Sequence, residues 1–304
     1  MAMETKLKPT FVEVEIPEAH AGRRLDKYLR AHLKGVPASL IFRQLRTGKI
    51  KVNGRKAKPD YRTQPGDMLK MLQMDLPENL PPPASLPTKL LNQIDNGIIH
   101  EDADLIVLNK PADIAVHTGT GVAGGVIEAL RQLRPGEADL ELAHRLDHET
   151  SGLLMVAKTP AMLRHIQQLL REDDRALSRR YALLVRGRWP DHLTAVDAPL
   201  QRTDTTVRVH PDGQSALTFF EVERRFGNRA TLVKARLTTG RKHQIRVHAR
   251  HAGHPIIGDR KYGDPRARAT HLFLHAAELT VPMPDGMTRE FSAPLPTNWD
   301  LQHL

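Results

Sequence analysis

The chain has 304 residues, with 45 Lys+Arg against 35 Asp+Glu and no cysteine. That length leaves room for two domains and a sizeable core, while the absence of cysteine excludes disulfides, thiol catalysis and thiolate metal sites and fits a reducing cytoplasm. No apolar run approaches the ~20 residues of a membrane helix, and residues 1–10 lack the apolar core of a secretion signal.

The charge is unevenly spread. Residues 1–75 hold 16 Lys+Arg and 8 Asp+Glu, whereas the remainder holds 29 and 27. A basic module of this kind suits a polyanion, because Lys and Arg displace counterions condensed on phosphates; a merely solvated face is the plainer alternative. Within the module, residues 11–16 alternate apolar and polar side chains and read as a strand. Leu25, Tyr28, Leu29 and Leu33 recur at helical spacing over 22–34, and Gly35-Val36-Pro37 then turns the chain. A second helix is expected from Ser39, an N-cap residue type, to Gly48 at the C′ position. Ile50 and Val52 lead into Asn53-Gly54, the pair a type I′ hairpin turn prefers because both residues tolerate positive φ. Pro65-Gly66-Asp67 turns into a last strand over Met68–Leu72. Basic residues follow this plan: Arg23, Arg24, Lys27 and Arg30 on the first helix, then Arg43, Arg46, Lys49 and Lys51 from the second helix into the hairpin. Helix-turn-helix DNA readers also have two short basic helices, but a hairpin directly after the second helix is an unusual continuation for that motif.

Residues 76–95 are polar and contain Pro81-Pro82-Pro83 and Pro87, so an extended linker is expected there. A second domain over 96–304 shows strand patterns at 98–100, 105–108, 152–157, 181–186, 216–222 and Ala230–Leu237, with helices at Val126–Leu133 and Pro160–Arg171. The expected class is α+β: a small α+β unit over 15–75, then a domain with a mixed, largely antiparallel sheet flanked by helices.

Three arrangements look like known chemistry and fall short. Gly119-Thr120-Gly121-Val122-Ala123-Gly124 matches G-x-G-x-x-G, but Pro111 and further residues separate it from the preceding strand, and regular βαβ alternation does not follow. His148-Glu149 opens like H-E-x-x-H, yet Gly152 stands where the second histidine belongs. His243, His248, His251 and His254 are the best metal candidates, but Lys242, Arg246 and Arg250 crowd them and no carboxylate follows before Asp259. Neither a metal nor a small-molecule cofactor is expected. The denser segment is Ala143-His144-Arg145-Leu146-Asp147-His148-Glu149-Thr150-Ser151-Gly152, which feeds the apolar run Leu153-Leu154-Met155-Val156. A rigid strand fixes the loop at its end, so such loops often carry active sites. On these residues alone, Asp147 is either a catalytic carboxylate or a turn residue bonded to backbone amides.

Two resemblances bear on the choice. Gly22-Arg23-Arg24-Leu25-Asp26-Lys27-Tyr28-Leu29, with Arg43 through Gly54, resembles the S4 RNA-binding domain over about residues 20–75. His144-Arg145-Leu146-Asp147 followed by Thr150-Ser151-Gly152 is similar to the signature of the RluA-type pseudouridine synthases. Supporting matches over 97–292 include Leu108-Asn109-Lys110-Pro111, Tyr181-Ala182-Leu183-Leu184, Thr239 through His248, and Leu272-Phe273-Leu274-His275-Ala276. Joined to an S4 domain, the pattern resembles the ribosomal large-subunit branch of that family.

The resemblance implies conversion of specific uridines in 23S ribosomal RNA to pseudouridine: the N1–C1′ bond breaks, the uracil turns, and C5 joins C1′. This is an isomerisation without net redox change and without a cofactor, and it makes the glycine run a family loop with no cofactor role. Asp147 is implied as the catalytic carboxylate, either as covalent nucleophile or as stabiliser of positive charge at C1′, and both roles stay open. Tyr181 is implied to stack on the base and is a candidate base for the C5 proton; Arg180 beside it stands where many relatives carry lysine, with charge kept. Arg246 is implied to hold Asp147 bidentately and keep it ionised. Arg145 is implied to fill the space an extruded base leaves. Arg241 and Lys242 are candidate phosphate contacts, with Arg23, Arg24, Lys27, Arg43, Arg46, Lys49 and Lys51 on the S4 part. The expected partner is large-subunit ribosomal RNA, met in the cytoplasm by a monomer with no membrane association. The same fold without catalysis would be an RNA-binding or assembly factor, and the joint presence of Asp147, Tyr181 and Arg246 argues against that.

Overall fold

A computed structural model describes residues 11–33, 36, 38–72, 85–117, 124–137, 139–171, 177–264 and 271–301. Residues 1–10, turn residues Gly35 and Pro37, the run Pro81-Pro82-Pro83, and positions 119–123 of the glycine run lie outside the described residues, as does the side chain of Ser39. The chain divides into two compact units, Met1–Ser85 and Leu86–Leu304.

The first unit runs β1 (Phe11–Glu15), a 3-10 turn (Glu18–His20), α1 (Leu25–His32), α2 (Ala38–Arg46), β2 (Lys51–Val52), β3 (Arg55–Lys56) and β4 (Met68–Leu72). Its sheet is antiparallel in the order β1-β4-β2-β3. Asn53 at φ 49° and Gly54 at φ 75° give the hairpin its type I′ turn, placing Val52 opposite Arg55. The Asn53 amide fastens this turn to the next strand, accepting from Met68 N at 2.8 Å and donating to Asp67 Oδ1 at 2.8 Å. Leu25 and Leu29 from α1 and Ile41 and Leu45 from α2 are fully buried with Ile16 and Leu69. Their i, i+4 spacing puts each pair on one helix face, and each buried side chain contributes about 1.5–3 kcal/mol.

The second unit begins with α3 (Thr88–Asp95), a helix where the proline content predicts extended chain. The prolines all precede its first residue, and Leu90, Leu91 and Ile94 give it an apolar face with Ile94 fully buried. There follow β5 (Ile98–Glu101), β6 (Leu105–Lys110), α4 (Val126–Leu133), β7 (Glu141–Leu142), β8 (Ser151–Ala157) and α5 (Pro160–Arg171). Next come β9 (Ser178–Arg186), β10 (Ala195–Asp197), β11 (Leu200–Arg202), β12 (Val207–Val209), β13 (Leu217–Phe226) and β14 (Ala230–Leu237). The described part closes with α6 (Gln244–His251), β15 (Leu274–Pro282) and β16 (Thr288–Ser292). Ten strands form one sheet, ordered β10-β13-β14-β9-β15-β8-β6-β5, with β16 on β15 and β7 on β8. All its pairings are antiparallel except β15 with β8, which run parallel at His275–Ser151 and Ala276–Gly152. Gly152 makes that junction possible: at φ 106°, a Cβ there would lie 2.2 Å from the Ala276 carbonyl oxygen. Among the described residues no helix is long and apolar enough to cross a membrane.

Candidate active site

The loop before β8 is held from three sides. His144 Nε2 accepts the Met155 amide at 3.0 Å, and burial together with the Arg179 charge pushes this imidazole down to about 4, so it stays neutral and acts as acceptor. The Thr150 amide donates to the Asp147 carbonyl at 3.1 Å, closing the turn. Lys110, at the end of β6 and wholly buried, donates from Nζ to the carbonyls of Pro111 (2.8 Å), Ile114 (2.9 Å) and His148 (3.2 Å). Burial draws the Lys110 amine down to about 7. Behind the loop, Ser151 Oγ bonds His275 Nδ1 at 2.9 Å, tying β8 to β15.

The opposing wall is the turn from β14 into α6. Gln244 orders it: its Oε1 accepts from Thr239 Oγ1 (2.8 Å) and the Arg241 amide (3.0 Å), while its Nε2 donates to the Leu217 carbonyl (3.0 Å) and Thr218 Oγ1 (3.0 Å). His243 takes a left-handed conformation (φ 56°) and starts the helix. Two residues of that helix turn therefore meet Asp147, one at each carboxylate oxygen. Arg246 Nη1 lies 3.6 Å from Oδ2, and His243 Nε2 lies 3.7 Å from Oδ1.

The expected bidentate hold of Arg246 on Asp147 goes elsewhere. Arg246 directs its fork at Asp259, through Nε at 2.8 Å and Nη2 at 2.7 Å, and Nη2 also meets Glu149 at 2.9 Å. The reason is burial: Arg246 and Asp259 are 2% and 1% exposed, so each needs a full partner, whereas Asp147 at 19% keeps access to the cavity. Burial alone would raise the Asp259 carboxyl, but the two Arg246 bonds and the amides of Lys261 and Tyr262 hold it below the usual carboxylate range. Tyr262 serves the other side of the site. Its hydroxyl accepts the Val207 amide at 3.0 Å and lies 2.7 Å from His243 Nδ1. Assigning the hydroxyl hydrogen to Nδ1 puts the imidazole proton on Nε2, facing Asp147. Burial pushes His243 down to about 4, against the pull of Asp147.

Asp147 opens onto a cavity of about 300 Å³ lined by Arg145, Tyr181, Arg179, Lys242, His243 and Arg246, among others. Tyr181 projects from β9, is 7% exposed, and its hydroxyl makes no hydrogen bond among the described residues. Burial pushes its phenol up, opposed by Arg179 and reinforced by Asp147.

The sequence carries matching features. A family model described as RNA pseudouridylate synthase matches residues 104–251, and one for the S4 domain matches 23–69. The chain is 45% identical to ribosomal large subunit pseudouridine synthase C of Pasteurella multocida (strain Pm70), over 92% of this chain and 89% of that protein. It is 41% identical to the protein of the same name from Escherichia coli (strain K12), over 94% of each. Among solved structures, human RNA pseudouridylate synthase domain containing 4 superposes with a TM-score of 0.59 at 27% identity, covering 69% of this chain and 93% of that one. The chain belongs to the RluA family of RNA pseudouridine synthases.

For a pseudouridine synthase the gathering of residues is informative. Asp147, Tyr181, Arg246, Arg145, Arg241 and Lys242 all line the one cavity. Arg145 is exposed at its mouth, and Lys242 sits among the like charges of Arg202, Arg145 and Lys261. The S4-part cations divide. Arg43, Arg46, Lys49 and Lys51 are exposed, but Arg23 is buried at 9% beside His20, and Arg24 is spent on Asp26 at 3.0 and 2.9 Å. Arg23 is thus a structural cation and not an open phosphate contact; Lys27 is half-buried. Three of the four histidines considered for metal have separate partners: His243 meets Tyr262, His248 bonds Thr218 and the Ala198 carbonyl, and His254 bonds the Arg186 carbonyl. Sequence reasoning did not anticipate Lys110, Glu149, Arg179, Asp259 or Tyr262 as parts of the site. Glu149 and Asp259 were weighed only as metal-site or protease residues, and their role appears once Arg246 is placed between them.

Proposed function

We propose that this synthase isomerises selected uridines of 23S ribosomal RNA to pseudouridine, with Asp147 as the carboxylate on which the chemistry rests. The observation that carries this reading is the seat of Asp147: a carboxylate partly open to a cavity, with Arg246 at one oxygen and the His243 imidazole at the other. At 3.6 and 3.7 Å these contacts are longer than hydrogen bonds, but both groups face the carboxylate before substrate arrives, so little reorganisation is needed as positive charge develops at C1′. The target nucleotide is extruded from its stack to reach the site, and Arg145, exposed at the mouth and without an ion pair among the described residues, takes the vacated space.

The uracil then lies against the Tyr181 ring. With its phenol pushed up by burial, Tyr181 is protonated near neutral pH and first offers its face; taking the C5 proton requires phenolate, which the Arg179 charge favours. Bonds balance within one nucleotide: N1–C1′ breaks, C5–C1′ forms, C5 loses a proton and N1 gains one. A ribosomal RNA substrate is one met in the cytoplasm.

Chemical mapping of pseudouridine in ribosomal RNA from cells with and without the protein tests the reading. Loss of particular large-subunit pseudouridines is expected, restored by the wild-type chain and not by Asp147→Ala. Identical maps would overturn it.

A further inference from the structure

We propose that a groove on the first unit, between α2 and the chain leaving the hairpin, is a stacking site for one unpaired RNA base, with Phe42 as its platform. This rests on the chain being an RNA-modifying enzyme and adds a binding site apart from the Asp147 cavity. The helix α2 buries Ile41 and Leu45, yet leaves Phe42 40% exposed. Phe42 lies in a groove of about 600 Å³ with Pro59 and the side chains of Arg43, Arg46, Lys56 and Lys58. That volume is within the range of sites for small planar ligands.

Charge decides what enters. Arg43, Arg46, Lys56 and Lys58 are all exposed and have no ion pair among the described residues. An apolar floor ringed by four uncompensated cations matches a nucleotide, whose base is flat and apolar on its faces and whose phosphates are anionic. Aromatic platforms inside positive grooves are how proteins hold single strands, each stacked base contributing about 1–3 kcal/mol. A base inside a duplex has both faces covered, so the groove selects an unpaired one. Lys56 ends the hairpin that Asn53-Gly54 registers, and Phe42 and Arg46 share a helix face at i, i+4; floor and cations are therefore fixed relative to each other.

The full chain is titrated with a stem-loop RNA carrying one 2-aminopurine in its loop, and with a fully paired duplex of equal length. Phe42→Ala is expected to weaken stem-loop binding about 5- to 100-fold, to abolish 2-aminopurine quenching, and to leave the salt dependence of binding unchanged. Duplex binding should change less than about twofold, and Phe42→Trp should retain quenching. Arg43→Gln should instead reduce the salt slope by about 1. Phe42 is exposed, so an unaltered melting curve for Phe42→Ala is expected. Equal weakening on both RNAs, or no change on either, would overturn the stacking site. Pseudouridine formation measured on ribosomal RNA, as in the mapping experiment, separates the two readings. Product without quenching sinks this inference alone, whereas quenching without product sinks the proposed activity.

Discussion

The two units hold positive charge in opposite states. On the first, Arg43, Arg46, Lys49 and Lys51 are exposed and free of ion pairs among the described residues. In the second, Arg246 is 2% exposed and meets three carboxylates, Asp259, Glu149 and Asp147. Exposed surface cations suit a polymer whose charges repeat along its length, since each contact adds by releasing counterions. A reacting group has the opposite need. A displacement of about 1 Å can cost about a hundredfold in rate, so the charges around Asp147 are locked by burial and by one another.

The most severe test of this division is Asp147→Ala. Product formation should fall by at least about a thousandfold, the scale of losing a principal electrostatic or nucleophilic group, while RNA affinity stays within about tenfold because distributed contacts remain. Affinity collapsing together with activity would break the comparison. Next comes Arg246→Met, which leaves Asp259 buried and unpaired. A stability loss of about 3–5 kcal/mol is expected on thermal melting, where Arg43→Gln should change stability by no more than about 0.5 kcal/mol.

Asp259→Asn sharpens the point with a pH signature. It keeps the shape but removes the charge that holds the Arg246 fork, so a drop of about 10- to 100-fold in kcat is expected, with KM less affected. Because the native carboxyl is held below its usual range, the stabilisation it provides is complete above the unfolded value near ~4 and is lost as pH falls through the lower native value. The stability gap between wild type and Asp259→Asn should therefore close on acidification below about pH 4, as followed by melting curves; a gap constant with pH would remove Asp259 from this role. The smallest effect belongs to Tyr262→Phe, which deletes the hydroxyl joining the Val207 amide to His243. A stability loss of about 1 kcal/mol and a modest fall in kcat are expected.

Local pattern made much of the fold legible. Amphipathic spacing gave α4 and α5 to the residue, and the Asn53-Gly54 pair gave the hairpin with both positive φ values. Where composition and periodicity conflicted, composition misled: the prolines before Thr88 hid the apolar face of Leu90, Leu91 and Ile94 that makes α3 a helix. The site was legible only as far as its signature loop. That Arg246 would face Asp147 followed from family resemblance, but which carboxylate takes its fork depends on how β8, α6 and the segment around Asp259 come together. No spacing along the chain encodes it. Tyr262 and Val207, 55 residues apart, are joined by a hydroxyl that no linear pattern reveals. The same holds for the reversal at Arg23, expected as a surface cation on the first helix but buried in the turn before α1, beside His20.

The contact at Gly152 has a consequence for how this enzyme can be altered. Asp147 stands five positions before it, and the parallel joint of β8 with β15 is the first fixed backbone behind the catalytic loop. There is no clearance there for even a methyl group, so the joint works as a datum: every distance in the cavity is referred to a backbone that cannot yield without parting two central strands. An alanine at this position must push one of these two strands aside, and the loop that carries Asp147 is continuous with β8.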